Sequence, residues 1–172
     1  ENIGGLDVKS VEYTNEVKGA LYYLLFCLFW TSQFIIAVGQ IVVALTIVKY
    51  YFTTDRSKVG SMTFFVSLFQ GLYYHSGTAA FGSLLVAIVQ IIRAIAMKIQ
   101  NEAKKAGNKV AEVLLACCNC WLYLLEKCLK FINKNAYIQT ALFSTSFCES
   151  AKEAFFLISR NILRVGAVSF VT

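Results

Sequence analysis

The chain has 172 residues, 58% hydrophobic and only 15% charged, with a net charge of +6 and a mean hydropathy of +0.61. A soluble domain of this length buries about 68–70% of its unfolded surface and carries roughly 25% charged residues. This composition therefore excludes disorder and a secreted disulfide scaffold, argues against a soluble enzyme, and points to an integral membrane protein.

Residues 1–20 form a polar lead-in of net charge −2, in which Gly4 and Gly5 suggest a loop and Ser10 or Thr14 could cap a helix start. The start at Glu1 and the apolar run 165–172 suggest an internal piece of a larger protein. Between Lys18 and Lys49 lie 30 residues without Asp, Glu, Lys or Arg. Between Lys58 and Arg93 lie 34 more. A crossing helix needs about 20 apolar residues, and a central charge would cost about 2.5–3.5 kcal/mol. The expected transmembrane helices are 21–51 and 76–97. The first is long enough to tilt or protrude, reaching about 45 Å at 1.5 Å per residue. Tyr22 and Tyr23 at one end, and Tyr50, Tyr51 and Phe52 at the other, form aromatic belts.

A polar turn at 53–61 separates the first span from a short helix at 62–74. Apolar residues at 62, 65, 66, 69, 72 and 73 follow helical spacing there. The helix is too short to cross, so it lies along the interface or re-enters. The second span opens with small residues (Ser76, Gly77, Ala79, Ala80, Gly82, Ser83) that allow close helix approach in lipid.

From 93 to 134 there are eight basic residues against three acidic ones. The positive-inside rule makes this segment cytoplasmic, with the N-terminus inside and 53–75 outside. Lys49, Arg56 and Lys58 pull weakly the other way. The basic run also suits anionic lipid headgroups. It is explained by the neighbouring spans, so nucleic acid is not expected as a partner. Apolar positions 114, 117, 121, 124, 128 and 131 give 110–131 one greasy seam, with Asn119, Tyr123, Glu126, Lys127 and Lys130 on a polar face. Ser146 and Glu149 have capping-box spacing before a helix at 149–166, whose apolar face is Ala151, Ala154, Phe155, Ile158, Ile162 and Val165. Both helices are expected to lie at the interface, so that 98–172 is cytoplasmic and interfacial. The fold class is all-α: a fragment of a polytopic membrane protein with about two transmembrane helices plus interfacial amphipathic helices.

Catalysis has little to work with. The single histidine, His75, excludes His–His metal spacing, and no phosphate-cradling glycine loop occurs. Neither an enzyme, a metal nor a cofactor is expected. His75 reads either as a structural residue at a helix start or as an ionisable group on a transport path. Cys117, Cys118 and Cys120 lack paired zinc spacing. They suit either small apolar positions in a helix seam or S-palmitoylation beside a membrane. Trp30, followed by Thr31, Ser32 and Gln33, puts a ring and a polar patch in mid-span. It fits either a core aromatic or a ring face for a cation that donates no hydrogen bond.

These residues resemble a known family. The stretches FWTSQF at 29–34 (Phe34 included), YHSGTAAFGS at 74–83 (Gly77, Phe81, Gly82) and LEKCL at 125–129 occur in order. NKNAY at 133–137 (Asn135, Ala136, Tyr137) and FCESAKEAF at 147–155 (Phe147, Cys148, Ser150, Ala151, Phe155) follow, then Asn161 and Arg164. Over 29–164 the chain resembles the choline transporter-like proteins, carriers of choline and ethanolamine. Two departures stand out. Basic residues usually precede the family's YH-x-G motif, and a proline the arginine matching Arg93; here Phe69-Gln70-Gly71-Leu72-Tyr73 and Ile92 stand there. The resemblance implies further spans beyond this piece, and choline movement without ATP in the plasma membrane or an organelle membrane. The implied partners are the lipid bilayer, choline or a similar cation, and the remaining transmembrane helices. Trp30, Gln33 and His75 are the substrate-path candidates. The alternative is a structural or accessory subunit packed within a larger membrane assembly.

Overall fold

A computed structural model describes residues 14–55, 59–60, 62–107 and 109–161. Gly4, Gly5, Ser10, Arg56, Lys58, Ile162, Arg164, Val165 and the run 165–172 lie outside them. Among the described residues there are five helices and no strand: α1 (Asn15–Phe52), α2 (Met62–Tyr74), α3 (Ser76–Lys105), α4 (Lys109–Phe143) and α5 (Phe147–Arg160).

Helix α1 begins six residues before the expected 21–51 and continues for 38 residues. No proline interrupts it, and helix formation depends little on whether the first turns are polar or apolar. It ends where the Thr53 amide and hydroxyl both bond to the Lys49 carbonyl. Its fully buried residues all lie in its second half: Ala37, Val38, Ile41, Val42, Ala44 and Leu45. Leu24, Leu28, Ile35 and Ile47 stay exposed. Helices α1 and α3 are both long and apolar enough to cross a membrane.

Helices α2 and α4 put polar and small residues inside and most of their large apolar ones outside. In α2 the residues at 62, 65, 66, 69, 72 and 73 are all exposed. The buried positions are Ser67 and Gly71, with Gly71 seated on Ile41, Val42 and Leu45 of α1. In α4 the expected seam has the right period but faces outward: Leu114, Trp121, Leu124 and Phe131 are exposed, Trp121 at 66%. Glu126, Asn133, Ala136, Tyr137, Thr140 and Ala141 face inward. Glu126, from the expected polar face, thus lies on the buried side and the greasy seam on the outer one. With lipid as solvent, apolar surface gains nothing by leaving it, while small and polar residues gain close packing and hydrogen bonds between helices.

Helix α3 ends at a tight turn in which Gly107 takes a left-handed conformation, φ +72°. Helix α4 then runs back antiparallel along α3. Asn119 Nδ2 donates to Gln100 Oε1 at 2.6 Å, Gln90 and Arg93 reach Glu126, and Asn133 Nδ2 donates to the Gly82 carbonyl at 2.7 Å. The helix continues to Phe143, well past the expected end at Phe131, because Ala136, Tyr137 and Thr140 still face its neighbours. Ser144, with φ 55°, turns the chain into α5. Ser146 takes the N-cap position, but its side chain makes no cap hydrogen bond, so the expected capping box does not form. Ser150 holds the corner instead. It accepts from Thr140 Oγ1 at 2.8 Å and lies 2.7 Å from Thr145 Oγ1. The inward face of α5 is Phe147, Ser150 and Ala154; Phe155 points out.

Candidate functional site

Three helices meet around a cleft of 150 Å³. Helix α1 supplies Gln33 and Gln40, α3 supplies Ser83, and α4 supplies Lys130, Asn133 and Tyr137. The spacing in each helix explains the meeting. Asn133 and Tyr137 are one turn apart on the inward face of α4, and Gln33 and Gln40 are two turns apart on α1. Ser83 belongs to the small-residue stretch that lets α4 approach. One turn of α3 collects unusual bonding there. The Ala80 carbonyl accepts from Trp30 Nε1 at 3.2 Å and from Ser83 Oγ at 2.9 Å, and the Gly82 carbonyl accepts from Asn133.

At one end of the cleft Lys130 joins a charged cluster. Glu126, 7% exposed, accepts from Lys130 Nζ at 2.7 Å, Arg93 Nη1 at 2.9 Å and Gln90 Nε2 at 2.9 Å. Charge-assisted donors satisfy both carboxylate oxygens in the ionised state. The Arg93 guanidinium also lies 4.8 Å from the centre of the Tyr123 ring. Local patterns signal half of this cluster, since Glu126 and Lys130 are spaced i, i+4 and Gln90 and Arg93 i, i+3. The sequence does not reveal that these two pairs face each other.

The expected path residues separate. Gln33 lines the cleft. Trp30, one turn earlier, packs against α3 through its indole N–H and lies 5.8 Å from Phe26, ring centre to ring centre. His75 sits elsewhere, between α2 and α3, beside a separate cavity of 480 Å³ shared with Gln70, Tyr74, Thr78, Ser144 and Ser146. Local order places Trp30 and Gln33 together; only the tertiary fold separates them from His75.

The motif residues mostly build helix contacts. Phe34 packs on the core with Ala136, Tyr137 and Phe147, and Ala151 joins it. Gly82 lies under Tyr137 and Phe147, with Phe81 edge-on to Phe147 at 5.4 Å. Ser150 is buried at the α4–α5 corner. Gly77 has no neighbour within 4 Å of where a Cβ would stand. Asn135 and Asn161 bond only to carbonyls of their own helices. Cys148 is exposed, as are Cys117, Cys118 and Cys120.

The family profile described as plasma-membrane choline transporter matches residues 1–172. Among curated relatives, choline transporter-like protein 2 of Danio rerio is 45% identical over 152 residues, covering 88% of this chain and 22% of its own length. The Bos taurus and Homo sapiens proteins of that name are each 40% identical over 161 residues, covering 93% of this chain and 23% of theirs. The chain thus spans less than a quarter of the length of these relatives. The family is one of transporters rather than enzymes. By a match along its whole length, the chain belongs to the plasma-membrane choline transporter family.

Proposed function

We propose that the intact protein moves choline, or a similar organic cation, across the plasma membrane without ATP, and that α1, α3 and α4 contribute to its path. The observation that carries this reading is a cleft lined by Gln33, Gln40, Ser83, Asn133 and Tyr137 together with Ile36, Ala37 and Val86, its Lys130 ammonium drawn aside by Glu126, set in helices whose outer faces are apolar. Gln33, Gln40, Asn133 and Tyr137 offer dipoles and a ring face, and a quaternary ammonium needs no more than these. A carboxylate in lipid would carry a large desolvation cost, and the two charge-free stretches contain none.

In this reading α1 and α3 cross the bilayer, with the N-terminus and the basic turn between α3 and α4 (Lys98, Lys104, Lys105 and Lys109) on the cytoplasmic side. Helix α2, the first part of α4 and α5 lie at its surfaces. The second half of α4, which packs against the small-residue turn of α3, follows α3 into the bilayer. Trp30 stands one turn before the cleft residue Gln33 on α1, and in this reading its ring belongs to the approach to the cleft.

In the intact protein, Trp30→Ala is expected to lower choline uptake about tenfold or more, the value of one desolvated ring face. Trp30→Phe keeps a ring and loses only the N–H to the Ala80 carbonyl, so its loss will be smaller. Radiolabelled choline uptake at matched surface expression measures both. Equal uptake by parent and both variants would make Trp30 a packing residue and favour an accessory role for this segment.

A further inference from the structure

The geometry points to Cys117, Cys118 and Cys120 as a site of S-acylation by a long-chain fatty acyl group at the cytoplasmic membrane surface. Two independent observations meet here. All three cysteines are exposed. Cys117 and the buried Glu126 are nine residues apart, which at about 100° per residue sets them on opposite sides of α4. Cys120, about 60° from Cys117, shares that outward side, which Leu114, Trp121 and Leu124 keep apolar, and Cys118 stands about 100° round from Cys117 on the flank of the helix.

The second observation is depth. Asn119, in the middle of the cluster, is tied to Gln100 of α3 at 2.6 Å. Gln100 lies three residues, about 4.5 Å of helix rise, beyond Met97, where the sequence predicts that the span ends. Lys98, Lys104 and Lys105 mark the same level as the headgroup zone. The thiols are therefore held just outside the hydrocarbon core, and a chain attached to them can turn back into it along the apolar face of α4. The other exposed cysteines lack this combination. Cys128 is two residues past Gln90's partner Glu126, deeper along the span, and Cys148 lies at the far end of the α3–α4 pair beside Phe147. Cys27 is only partly exposed.

The step is a thioester exchange. A cysteine Sγ, as thiolate, attacks the carbonyl carbon of a long-chain acyl-coenzyme A. A bond forms between Sγ and that carbon, and the bond from the carbon to the coenzyme A sulfur breaks. Coenzyme A leaves as a thiol carrying the proton that the cysteine gave up. No oxidant or reductant is consumed.

Cells expressing the full-length protein are fed an alkyne-bearing palmitate, and the purified protein is read for label before and after hydroxylamine. The parent should be labelled and hydroxylamine should strip the label. The triple variant Cys117→Ser/Cys118→Ser/Cys120→Ser should carry about tenfold less, while Cys148→Ser should match the parent. Trypsin provides a readout that needs no variant. Cleavage after Lys109 and Lys127 frees the peptide 110–127, which holds these three cysteines and no other. Acyl mass on that peptide supports the site. An unlabelled parent, a hydroxylamine-resistant label, or acyl mass confined to peptides with Cys128 or Cys148 would overturn it.

Discussion

Gly82→Leu will break the junction of α3, α4 and α5 and leave little folded protein. A Cβ at Gly82 would run into the Tyr137 hydroxyl and stand 2.8 Å from Phe147 Cε2 and 3.0 Å from Tyr137 Cζ. Tyr137 is 2% exposed and Phe147 9%, so moving either ring disturbs the core cluster to which both belong. Gly82→Ala alone should cost about 1–3 kcal/mol, the usual range for overpacking, and leucine more. The loss will appear as a lower melting temperature of the detergent-solubilised intact protein and less of it at the cell surface. Because the nearest obstacle is a single hydroxyl, Tyr137→Phe should restore part of the stability in the Gly82→Ala background and little in the leucine one. Gly77→Ala, which meets no atom of this chain within 4 Å, is the matched control and should cost less.

Glu126→Ala should be the most damaging change at a charged residue. It leaves the Arg93 and Lys130 cations facing each other's side of the helix seam without the carboxylate they share. Breaking a fully buried pair costs about 3–5 kcal/mol. Here the Arg93 and Lys130 side chains are 31% and 43% exposed, so water screens part of the loss and about 2 kcal/mol is expected. Glu126→Gln keeps two oxygen and nitrogen positions and should fall between parent and alanine. Thermal melts of the three proteins at one pH, in one detergent, decide it. Equal melting temperatures would make the cluster a surface ornament of the helix pair.

Much of this architecture is legible in the residues, for physical reasons that also mark where reading stops. The stretches 19–48 and 59–92 announce spans because a bilayer penalises each charge, and that penalty is local to the sequence. Ala79, Gly82 and Ser83 read correctly as a packing surface, since small size is itself the signal. The period of 114, 117, 121, 124, 128 and 131 is also read correctly, but its direction is not. Periodicity shows that a helix has two faces; which of them turns inward depends on the solvent around the bundle. In water the greasy seam would be the core, whereas here Glu126 and Asn133 are. The continuation of α4 through Lys134 to Phe143 is hidden for the same reason, because Asn133, Lys134 and Asn135 resemble a helix end until Asn133 finds the Gly82 carbonyl. In the candidate site, Trp30 and Gln33 are neighbours by sequence. That His75 lies apart from them, and that Lys130 and Asn133 line the cleft, are facts of tertiary packing with no short-range signature.

The pairing of α3 with α4 bears on how the chain is made. The polar side of α4 has its partners on α3: Gln90 and Arg93 for Glu126, Gln100 for Asn119, and the Gly82 carbonyl for Asn133. A nascent α4 leaving the ribosome alone would carry these groups without their partners. Synthesis delivers α3 first, and the short turn around Gly107 brings α4 back along it at once. Helix α3 is thus complete before α4 needs it, and the order of synthesis presents α4 with its hydrogen-bond partners already in place.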